Sequence, residues 1–441
     1  MTTSTPQRSS QRTRSCATGL VCHRCDNSYP LEQSIFACPD CGKGLDVVYD
    51  YELAATHFRD FPTSERPQNI WHFEELLPIV DAGAQSRVGR YSGYTPLIRA
   101  DRLGAELGLG NLYLKDDSTS RPSLSYKDRV VSMAVARLLE RGGTEIGCVS
   151  TGNVGTAVAA MAAKAGVDAY VFYPNALEEM KARACRALAA KVCQVEGNYD
   201  QANRRCREVA ETTGMDFANI TLRPFYAEGA KTAAFEIVEQ LDWNAPEHIV
   251  IPAAGGTLSS RVHKGLVEMA HLGLSETGQT KIHIAQPSGC NPIASAIIAE
   301  EAEVVPVTPE TVAHSLAIGA PGDGYLVIDA VLSRGGTGGF ASDPEIFAGI
   351  DLLASTEGLL TEPAGGTTIA VLEKMAAAGT FAQDETVVAI ITGNGLKTLD
   401  EHPDKPWPAK VKCELDAMLE ALTELKAEET LLNSAQRLLG S

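Results

Sequence analysis

Three short polar segments, at residues 123–129, 150–153 and 392–395, lie at the ends of apolar, strand-like runs. The first contains Lys127, at a junction between a loop and a predicted helix. A lysine can hold an aldehyde as an imine and then act as a free amine that moves protons. A lone lysine is usually a solvated surface charge. The order and placement of the three segments together predict a pocket for pyridoxal 5′-phosphate, with Lys127 as its covalent anchor and catalytic residue.

The segment after the next predicted strand presents Ser150, Thr151 and Asn153 at the start of a helix of small residues. Hydroxyls and backbone amides at a helix N-terminus bind anions and polar ring substituents. We therefore expect Asn153 to donate to the phenolic oxygen of the cofactor, and the two hydroxyls to meet the carboxylate or phosphate of a substrate. A plain helix cap with a turn glycine would use the same residue types.

Two further segments complete the predicted pocket. Glycines after the predicted strand at 248–252 would let the backbone approach a phosphate closely. This segment has neither the Gly-Lys-Ser/Thr ending of a Walker loop nor a Gly-x-Gly-x-x-Gly pattern. Thr392 would place a neutral hydroxyl beside the pyridine nitrogen, which leaves the ring less electron-withdrawing than a carboxylate partner would. The residues assigned to the cofactor phosphate are Ala254, Gly255, Gly256, Thr257 and Leu258.

Two Cys-x-x-Cys pairs lie near the N-terminus, separated by twelve residues: Cys22, Cys25, Cys38 and Cys41. This spacing is typical of a tetrahedral zinc site with four thiolates, which leaves no open position for water and is structural. His23 lies inside the first pair and is expected to be a solvated side chain. A disulfide framework is the alternative, but the other seven cysteines are scattered and no secretory signal pattern precedes them.

The composition argues against several classes of function. The 441 residues carry a net charge of −18, and 44% of them are hydrophobic. Such an acidic surface repels phosphate backbones, so we expect no nucleic-acid partner, and an anionic substrate would need a locally basic pocket. No apolar stretch approaches the roughly 18 residues that cross a bilayer. We expect a cytoplasmic protein with no membrane partner.

Strand-like and helix-like patterns alternate through the middle of the chain. Alternation with continuously apolar strands predicts an α/β fold of parallel sheets covered on both faces. In such sheets, ligands bind beyond the carboxyl ends of the strands. The predicted strands lie at 111–115, 146–149, 169–173, 248–252, 281–285 and 386–392, and predicted helices begin at 128 and lie at 154–165 and 177–190.

The predicted domain organisation has five parts. They are a disordered tail (1–15), a zinc-ribbon-like module (16–50), a large cofactor domain (51–125 and 226–405), a small mobile domain (126–225) and an amphipathic C-terminal helix (406–441). The last helix is expected to pack on the body or on a partner subunit. We expect a homo-oligomer, a dimer.

With these residues placed, the chain from about residue 20 to 400 resembles the threonine synthases, pyridoxal phosphate enzymes of the tryptophan-synthase-beta fold. The resemblance rests on the four-cysteine ribbon and on the segments at 122–129, 150–153, 222–229, 315–319 and 392–397. It implies two parallel-sheet domains with an N-terminal zinc-ribbon-like extension. It also implies that Lys127 forms the internal aldimine, Asn153 contacts the phenolic oxygen, residues 254–258 hold the cofactor phosphate and Thr392 meets the ring nitrogen.

The implied reaction converts O-phospho-L-homoserine and water into L-threonine and phosphate, by γ-elimination and then β-addition of water. Lys127 would abstract the α proton and shuttle protons at the β and γ carbons. Arg223 and Lys231 are the basic candidates for binding the phosphate of this small phosphorylated amino acid. Ser150 and Thr151 would be neutral donors to the same group.

Two positions depart from the family's usual pattern, because Arg121 stands where many members have Asn and Tyr126 where many have Phe. Two alternatives to a threonine synthase stay open. The same scaffold could serve a cysteate synthase or an O-phosphoserine β-replacement enzyme, since a fold does not fix a substrate. A zinc-ribbon binding module with a non-catalytic scaffold is the alternative from another class. A threonine dehydratase fits less well, because it would need no phosphate donors.

Overall fold

The computed structural model describes residues 13–33, 35–60, 63–150, 152–174, 179–399, 402–403 and 410–425. The chain divides into two units, residues 1–401 and residues 402–441. In the second unit, the described residues form a helix over 415–425. The helix predicted at 406–441 begins later than expected, because 410–414 are not helical. Residues 404–409 and 426–441 lie outside the described part of the chain.

The strands of the described residues are β1 (Ala17–Cys22), β2 (Ser28–Tyr29), β3 (Leu45–Tyr49), β4 (Leu97–Arg99), β5 (Asn111–Asp116), β6 (Glu145–Val149), β7 (Asp168–Pro174), β8 (Lys191–Val195), β9 (His248–Pro252), β10 (Lys281–Pro287), β11 (Gly338–Ala341) and β12 (Thr386–Ile391). The α-helices of the first unit are α1 (Tyr51–Asp60), α2 (Ala82–Arg87), α3 (Asp101–Leu107), α4 (Lys127–Glu140), α5 (Asn153–Ala165), α6 (Glu179–Ala187), α7 (Tyr199–Thr213), α8 (Arg223–Glu228), α9 (Thr232–Gln240), α10 (Thr257–His271), α11 (Pro292–Ile298), α12 (Gly324–Ser333), α13 (Asp343–Glu357) and α14 (Pro363–Ala377).

The largest sheet has six strands in the order β11-β10-β9-β12-β5-β4. Its strands are parallel except for β4, which pairs antiparallel with β5 at one edge. Every residue of β9 is buried. Ile249 and Ile251 pack into one hydrophobic core with residues of α4, α9 and α10, whereas Val250 packs into a second core with residues of α3, α13 and α14. Both faces are therefore covered, and the predicted α/β fold with parallel sheets is confirmed.

A second, three-stranded parallel sheet has the order β6-β7-β8. Three strands of the two parallel-stranded sheets, β4, β8 and β11, were absent from the sequence-based prediction. The reason is that none of them is a buried apolar run: β4 and β8 have no fully buried residue, and β11 contains two glycines. The edge strand β4 also makes the largest sheet mixed, where the sequence predicts a purely parallel one.

The N-terminal module is a small antiparallel sheet in the order β2-β1-β3. Leu20, Leu45 and Val47 of this sheet pack against aromatic residues of the main body, including Phe73. The chain before β1 is also attached to the body, because the backbone N–H of Thr13 donates to the carbonyl of Val80 at 3.1 Å. The tail predicted at 1–15 is therefore already bonded to the body at residue 13, and residues 1–12 lie outside the described part.

The two parallel-stranded sheets bring the predicted site segments together. The backbone N–H of Tyr126 donates to the carbonyl of Thr392 at 2.9 Å, and Ser125 forms an antiparallel bridge with Gly393. The lysine segment is thus tied to the end of β12. Both sheets belong to one unit, so the boundary between a large and a small mobile domain stays a prediction. Among the described residues, no helix is both long enough and apolar enough to cross a membrane.

Candidate active site

A cavity of about 410 Å³ lies where the loops after β5, β6, β9 and β12 meet. Cavities of this size hold cofactors and small ligands. Of the residues predicted to bind cofactor or substrate, Thr151 lies outside the described residues, and Lys231 does not line the cavity. The predicted residues that line the cavity are Lys127, Ser150, Asn153, Arg223, Ala254, Gly255, Gly256, Thr257, Leu258 and Thr392.

Lys127 is the first residue of α4, and its side chain is partly buried in the cavity wall. Its ammonium group donates to the hydroxyl of Tyr126 and lies 4.3 Å from the centre of that ring. Tyr126, one of the two departures from the family's pattern, is therefore in direct contact with the predicted anchor. Arg121, the other departure, is exposed and does not line the cavity.

The segment around Lys127 is fixed by a buried acid. The carboxylate of Asp128 accepts hydrogen bonds from the backbone N–H of Ser123, at 3.0 and 3.2 Å from its two oxygens. Burial raises the pKa of Asp128 from its ordinary value of 3.8 to about 7. This local bond closes the loop that precedes the lysine and holds the backbone on both sides of Lys127.

Arg129, in the first turn of α4, fixes this turn through buried ion pairs. Its guanidinium is fully buried, donates to Asp117 at 2.7 Å and forms a second ion pair with Glu236. Burial alone would raise the pKa of Glu236, but the charges of Arg129 and Lys115 lower it to about 2. A buried charge that is paired on two sides holds its neighbours in a fixed geometry.

Asn153 is held by residues that the sequence analysis did not select. Its side-chain NH₂ donates to Glu362 at 2.6 Å, and its carbonyl oxygen accepts from Lys397 at 2.8 Å. Glu362 is 1% exposed and also pairs with Lys181 of α6 at 3.0 Å. Burial would raise the pKa of Glu362, but Lys181 and Lys397 lower it. The carboxylate lies so close to Gly393 that any side chain there would collide with it, which explains this glycine.

The loop before α10 has the geometry of a phosphate cradle. Gly256 has φ of +93°, and a side chain there would lie 2.9 Å from Val327. No side-chain cap satisfies the first backbone N–H groups of the fifteen-residue α10, and helix N-termini of this kind bind phosphate. The hydroxyl of Ser259 lines the cavity, is buried, and has no hydrogen-bond partner among the described residues. Together with Lys127 in the same cavity, these groups fit pyridoxal phosphate.

Arg223 and Ser150 line the cavity, but both already have partners. Arg223 pairs with Asp323 at 2.5 Å and lies 3.3 Å from the hydroxyl of Thr257. The oxygen of Ser150 accepts from the backbone N–H groups of Gly152 and Gly155, at 2.9 and 2.8 Å. Ser150 thus acts as the turn-and-cap residue of the plainer interpretation, and its O–H remains available to donate once.

Lys231 was expected to bind substrate phosphate, and the structure corrects this. Its ammonium is fully buried, away from the cavity lining, and pairs with Glu228 at 2.7 Å and Glu268 at 2.8 Å. It also lies 3.9 Å from the ring centre of Tyr49 in the N-terminal module. Lys231 therefore joins the body to that module. Glu228 lies only three residues before Lys231, so the sequence carries a local signal for this pair, whereas Glu268 and Tyr49 are far away in the chain.

The four cysteines of the N-terminal module converge on one point. The sulfur atoms of Cys22, Cys25, Cys38 and Cys41 all lie within 4.8 Å of one another. The Cys22–Cys41 and Cys25–Cys38 sulfur distances are 3.4 and 3.5 Å, well beyond the roughly 2.05 Å of a disulfide. The hydroxyl of Tyr29 lies 3.1 Å from the sulfur of Cys38 and, as the main cause, lowers the pKa of this thiol to about 6. The cluster could hold a metal ion.

Several cavity residues were missed by the sequence analysis. Phe36 and Lys43 come from the N-terminal module, Arg207 from α7 and Tyr325 from α12. Glu362, which contacts Asn153 but is not itself part of the cavity lining, carries a weak local signal, since an acid followed by proline is common where a helix begins. The others lie in segments with no pattern that distinguishes them from surface residues.

Comparison with known proteins agrees with this site. The sequence pattern of the family described as "Pyridoxal-phosphate dependent enzyme" matches residues 88–393. Among solved structures, maize serine racemase has a TM-score of 0.59 at 21% identity, covering 71% of this chain and 92% of that one. A fungal L-serine ammonia-lyase from Rhizomucor miehei has a TM-score of 0.60 at 23% identity, covering 71% and 98%. At these identities the likeness shows the fold.

Curated relatives are more similar in sequence. The threonine synthase of Methanocaldococcus jannaschii is 33% identical over 407 residues, which cover 92% of this chain and 99% of that relative. The threonine synthase of Methanosarcina acetivorans is 34% identical over 407 residues, covering 91% and 98%. Both alignments are longer than the 88–393 match, so they extend beyond the region shared by the wider family. The chain belongs to the threonine synthase family of pyridoxal-phosphate dependent enzymes.

Proposed function

We propose that this protein converts O-phospho-L-homoserine and water into L-threonine and phosphate. One observation carries the proposal: Lys127, Thr392 and the glycine cradle before α10 line the same cavity. The names of the curated relatives point to the same reaction. A lysine amine, a cradle for a phosphate and a neutral hydroxyl at a strand end are the groups that this chemistry requires of the protein.

Each residue has a separate task in this proposal. Bound pyridoxal phosphate would supply an electron sink that acidifies the α carbon of the substrate. Lys127 would anchor the cofactor, take the α proton and return protons at the β and γ carbons. Asn153 would donate to the phenolic oxygen, residues 254–258 would hold the cofactor phosphate, and Thr392 would meet the ring nitrogen. Glu362 uses one N–H of Asn153, and the second N–H has no partner among the described residues, so it could make this contact.

The substrate would be bound by other polar groups of the same cavity. Ser150, and Arg223 at the edge of the cradle, would donate to the anionic groups of the substrate. Thr151, next to Ser150 in sequence, would be a further neutral donor.

We further propose that the segment 126–225 is a small mobile domain that closes over the substrate and excludes water until elimination is complete. The ion pair between Lys181 and Glu362 joins α6 of this segment to the start of α14. We expect this pair to hold the closed state of the small domain. Crystal structures with and without a substrate analogue test this, and an unchanged distance between α6 and α14 would contradict it.

For the four-cysteine module we propose a structural zinc ion. Four sulfurs at about 2.3 Å from a tetrahedral zinc lie about 3.8 Å apart, close to the distances of 3.4 to 3.8 Å among these thiols. Metal analysis of the purified protein should give one zinc per chain, and a Cys25→Ser, Cys41→Ser double variant should give none. Protein that is folded, reduced and free of metal would contradict the proposal.

The reaction is tested by mass spectrometry of the products after O-phospho-L-homoserine is added to cofactor-loaded protein. We expect threonine and phosphate in equal amounts. Lys127→Ala should form no threonine and lose the visible absorbance of the bound cofactor. Lys374→Ala should behave like the wild type, because the partners of this exposed lysine within the described ranges are surface groups.

The same assay separates the alternatives. Phosphate release from O-phospho-L-serine, with none from O-phospho-L-homoserine, would favour a β-replacement enzyme or a cysteate synthase. Protein that stays colourless after addition of pyridoxal phosphate would favour a non-catalytic module. The dimeric state and the cytoplasmic location stay predictions; light scattering coupled to gel filtration measures the first.

A further inference from the structure

The N-terminal module forms part of the cavity wall. Phe36, Lys43 and the glycines on either side of Lys43 line the same cavity as Lys127. The backbone of Lys43 is fixed by the second cysteine pair, because its carbonyl accepts from the N–H of Cys38 at 2.8 Å. Its ammonium group lies 5.1 Å from the ring centre of Tyr325, another cavity residue. The loop that holds the second cysteine pair therefore places the ammonium group of Lys43 in the cavity wall.

Among the described residues, Lys43 has no acid partner, in contrast to Arg223 of the same cavity. The cavity is lined by four basic side chains, Lys43, Lys127, Arg207 and Arg223. Arg223 is already paired with Asp323, and Lys127 is the predicted anchor of the cofactor. Within the described ranges, no carboxylate forms an ion pair with Lys43. In a chain with a net charge of −18, a cation without an acid beside it is available for an anionic ligand.

The position of Lys43 points to phosphate as that anion. Tyr325 belongs to the turn that starts α12, and the N–H of the neighbouring Asp323 donates to the carbonyl of Gly255 at 3.1 Å. The ammonium group therefore lies near the wall that also carries the phosphate cradle. A lysine binds phosphate as a mobile point charge and needs no fixed fork geometry.

We propose that Lys43 is a phosphate-binding residue of the catalytic cavity, supplied by the four-cysteine module. The ligand is a phosphate monoester, either the 5′-phosphate of the cofactor or the phosphate of the substrate. The second source rests on the proposed function, whereas the first requires only that the cofactor binds. The module is then part of the active site and more than a structural extension.

The experiment compares Lys43→Gln with the wild type in two binding titrations. In the first, pyridoxal phosphate and pyridoxal are titrated into cofactor-free protein and followed by absorbance. In the second, O-phospho-L-homoserine and L-homoserine are mixed with cofactor-saturated protein in a stopped-flow instrument, and the first change in cofactor absorbance, before turnover, reports binding. Arg24→Gln is the matched control, because Arg24 lies in the same module, is exposed and does not line the cavity.

We expect Lys43→Gln to lower the affinity for one of the two phosphorylated ligands by about 10- to 100-fold. This is the usual effect of losing one charge-assisted hydrogen bond. The affinity for the phosphate-free counterpart of that ligand should change by less than about twofold. Lys43→Arg should restore most of the loss, because it keeps the charge. A loss of affinity for pyridoxal phosphate assigns Lys43 to the phosphate of the cofactor. A loss of affinity for O-phospho-L-homoserine assigns it to the phosphate of the substrate.

Two results would overturn the proposal. One is unchanged affinity for both phosphorylated ligands in Lys43→Gln. The other is an equal loss of affinity for the phosphorylated and the phosphate-free ligands that Lys43→Arg does not restore. This result would indicate that Lys43 has a purely structural role. If the wild type binds these ligands but forms no threonine, the proposed reaction fails while this binding test still decides the role of Lys43.

Discussion

The two ends of the cavity are built differently. Its floor, under Lys127 and Asn153, consists of charged groups that are buried and paired, such as Arg129 with Asp117 and Lys181 with Glu362. Its mouth is formed by Phe36, Lys43 and Arg207, which come from the N-terminal module and from α7. These mouth side chains are exposed or only partly buried. We conclude that the floor fixes geometry, whereas the mouth offers unpaired charge to a ligand.

The largest effect on stability is expected at the floor. Arg129→Ala leaves Asp117 and Glu236 buried without their shared cation, and should lower the free energy of unfolding by about 3–5 kcal/mol. Arg183→Ala is the control, because it breaks an exposed pair with Glu179 on α6 and should change stability by less than about 0.5 kcal/mol. Urea unfolding measures both. If both variants lower the free energy of unfolding by a similar small amount, the buried ion pairs do not stabilise the floor of the cavity.

A somewhat smaller effect is expected from Glu362→Gln. This change removes the charge that pairs with Lys181 and replaces one of the two carboxylate oxygens, which contact Lys181 and Asn153, with a donor, so stability should fall by about 2 kcal/mol. Turnover should fall about tenfold, because Asn153 loses its fixed orientation. Glu208→Gln, which alters an exposed pair with Arg205, is the control and should affect neither quantity. A normal absorbance spectrum with normal turnover would contradict the role given to Glu362.

The buried acid at the floor predicts a pH dependence. Burial raises the pKa of Asp128 from 3.8 to about 7, so between these values the folded protein binds a proton that the unfolded chain releases. Stability should therefore fall as pH rises from about 4 to about 7, with a slope of up to about 1.4 kcal/mol per pH unit from this group. Denaturant unfolding of Asp128→Asn across this range should show a weaker slope. An identical slope in both proteins would refute the assignment.

The smallest stability effect is expected at the mouth. Arg207→Ala removes an exposed cation that lies over the ring of Phe36, and should change stability by less than about 0.5 kcal/mol. The value of kcat/KM for the phosphorylated substrate should fall by about two- to fivefold at low salt, with the difference disappearing at high salt. Arg205→Ala on the same helix is the control, since Arg205 pairs with Glu208 and does not line the cavity. A stability loss as large as that of Arg129→Ala would remove the distinction between floor and mouth.

The sequence predicts the floor better than the mouth. Asn153, Thr392 and the cradle at 254–258 closely follow apolar strands, whereas residues 117–126 separate Lys127 from β5. In α/β folds, ligands bind beyond such strand ends. The four cysteines carry their own spacing signal. Lys231 was the wrong assignment, because a lysine in a helical segment reads the same whether it faces a cavity or a buried acid. Lys43 and Arg207 were missed because no local pattern separates them from surface residues, and Glu362 because its local signal is that of a helix start.

The sequence by itself determined the chemistry of this protein: an amine for the cofactor, a glycine loop for its phosphate, and four thiols at metal-binding spacing. These depend on residue type and on local pattern, which neighbours in sequence fix. Tertiary structure alone decided which charges act together. Asn153 and Glu362 are 209 residues apart, and Lys43 reaches the cavity from a separate small sheet. Contacts over such distances arise only when the sheets pack, so no local pattern records them.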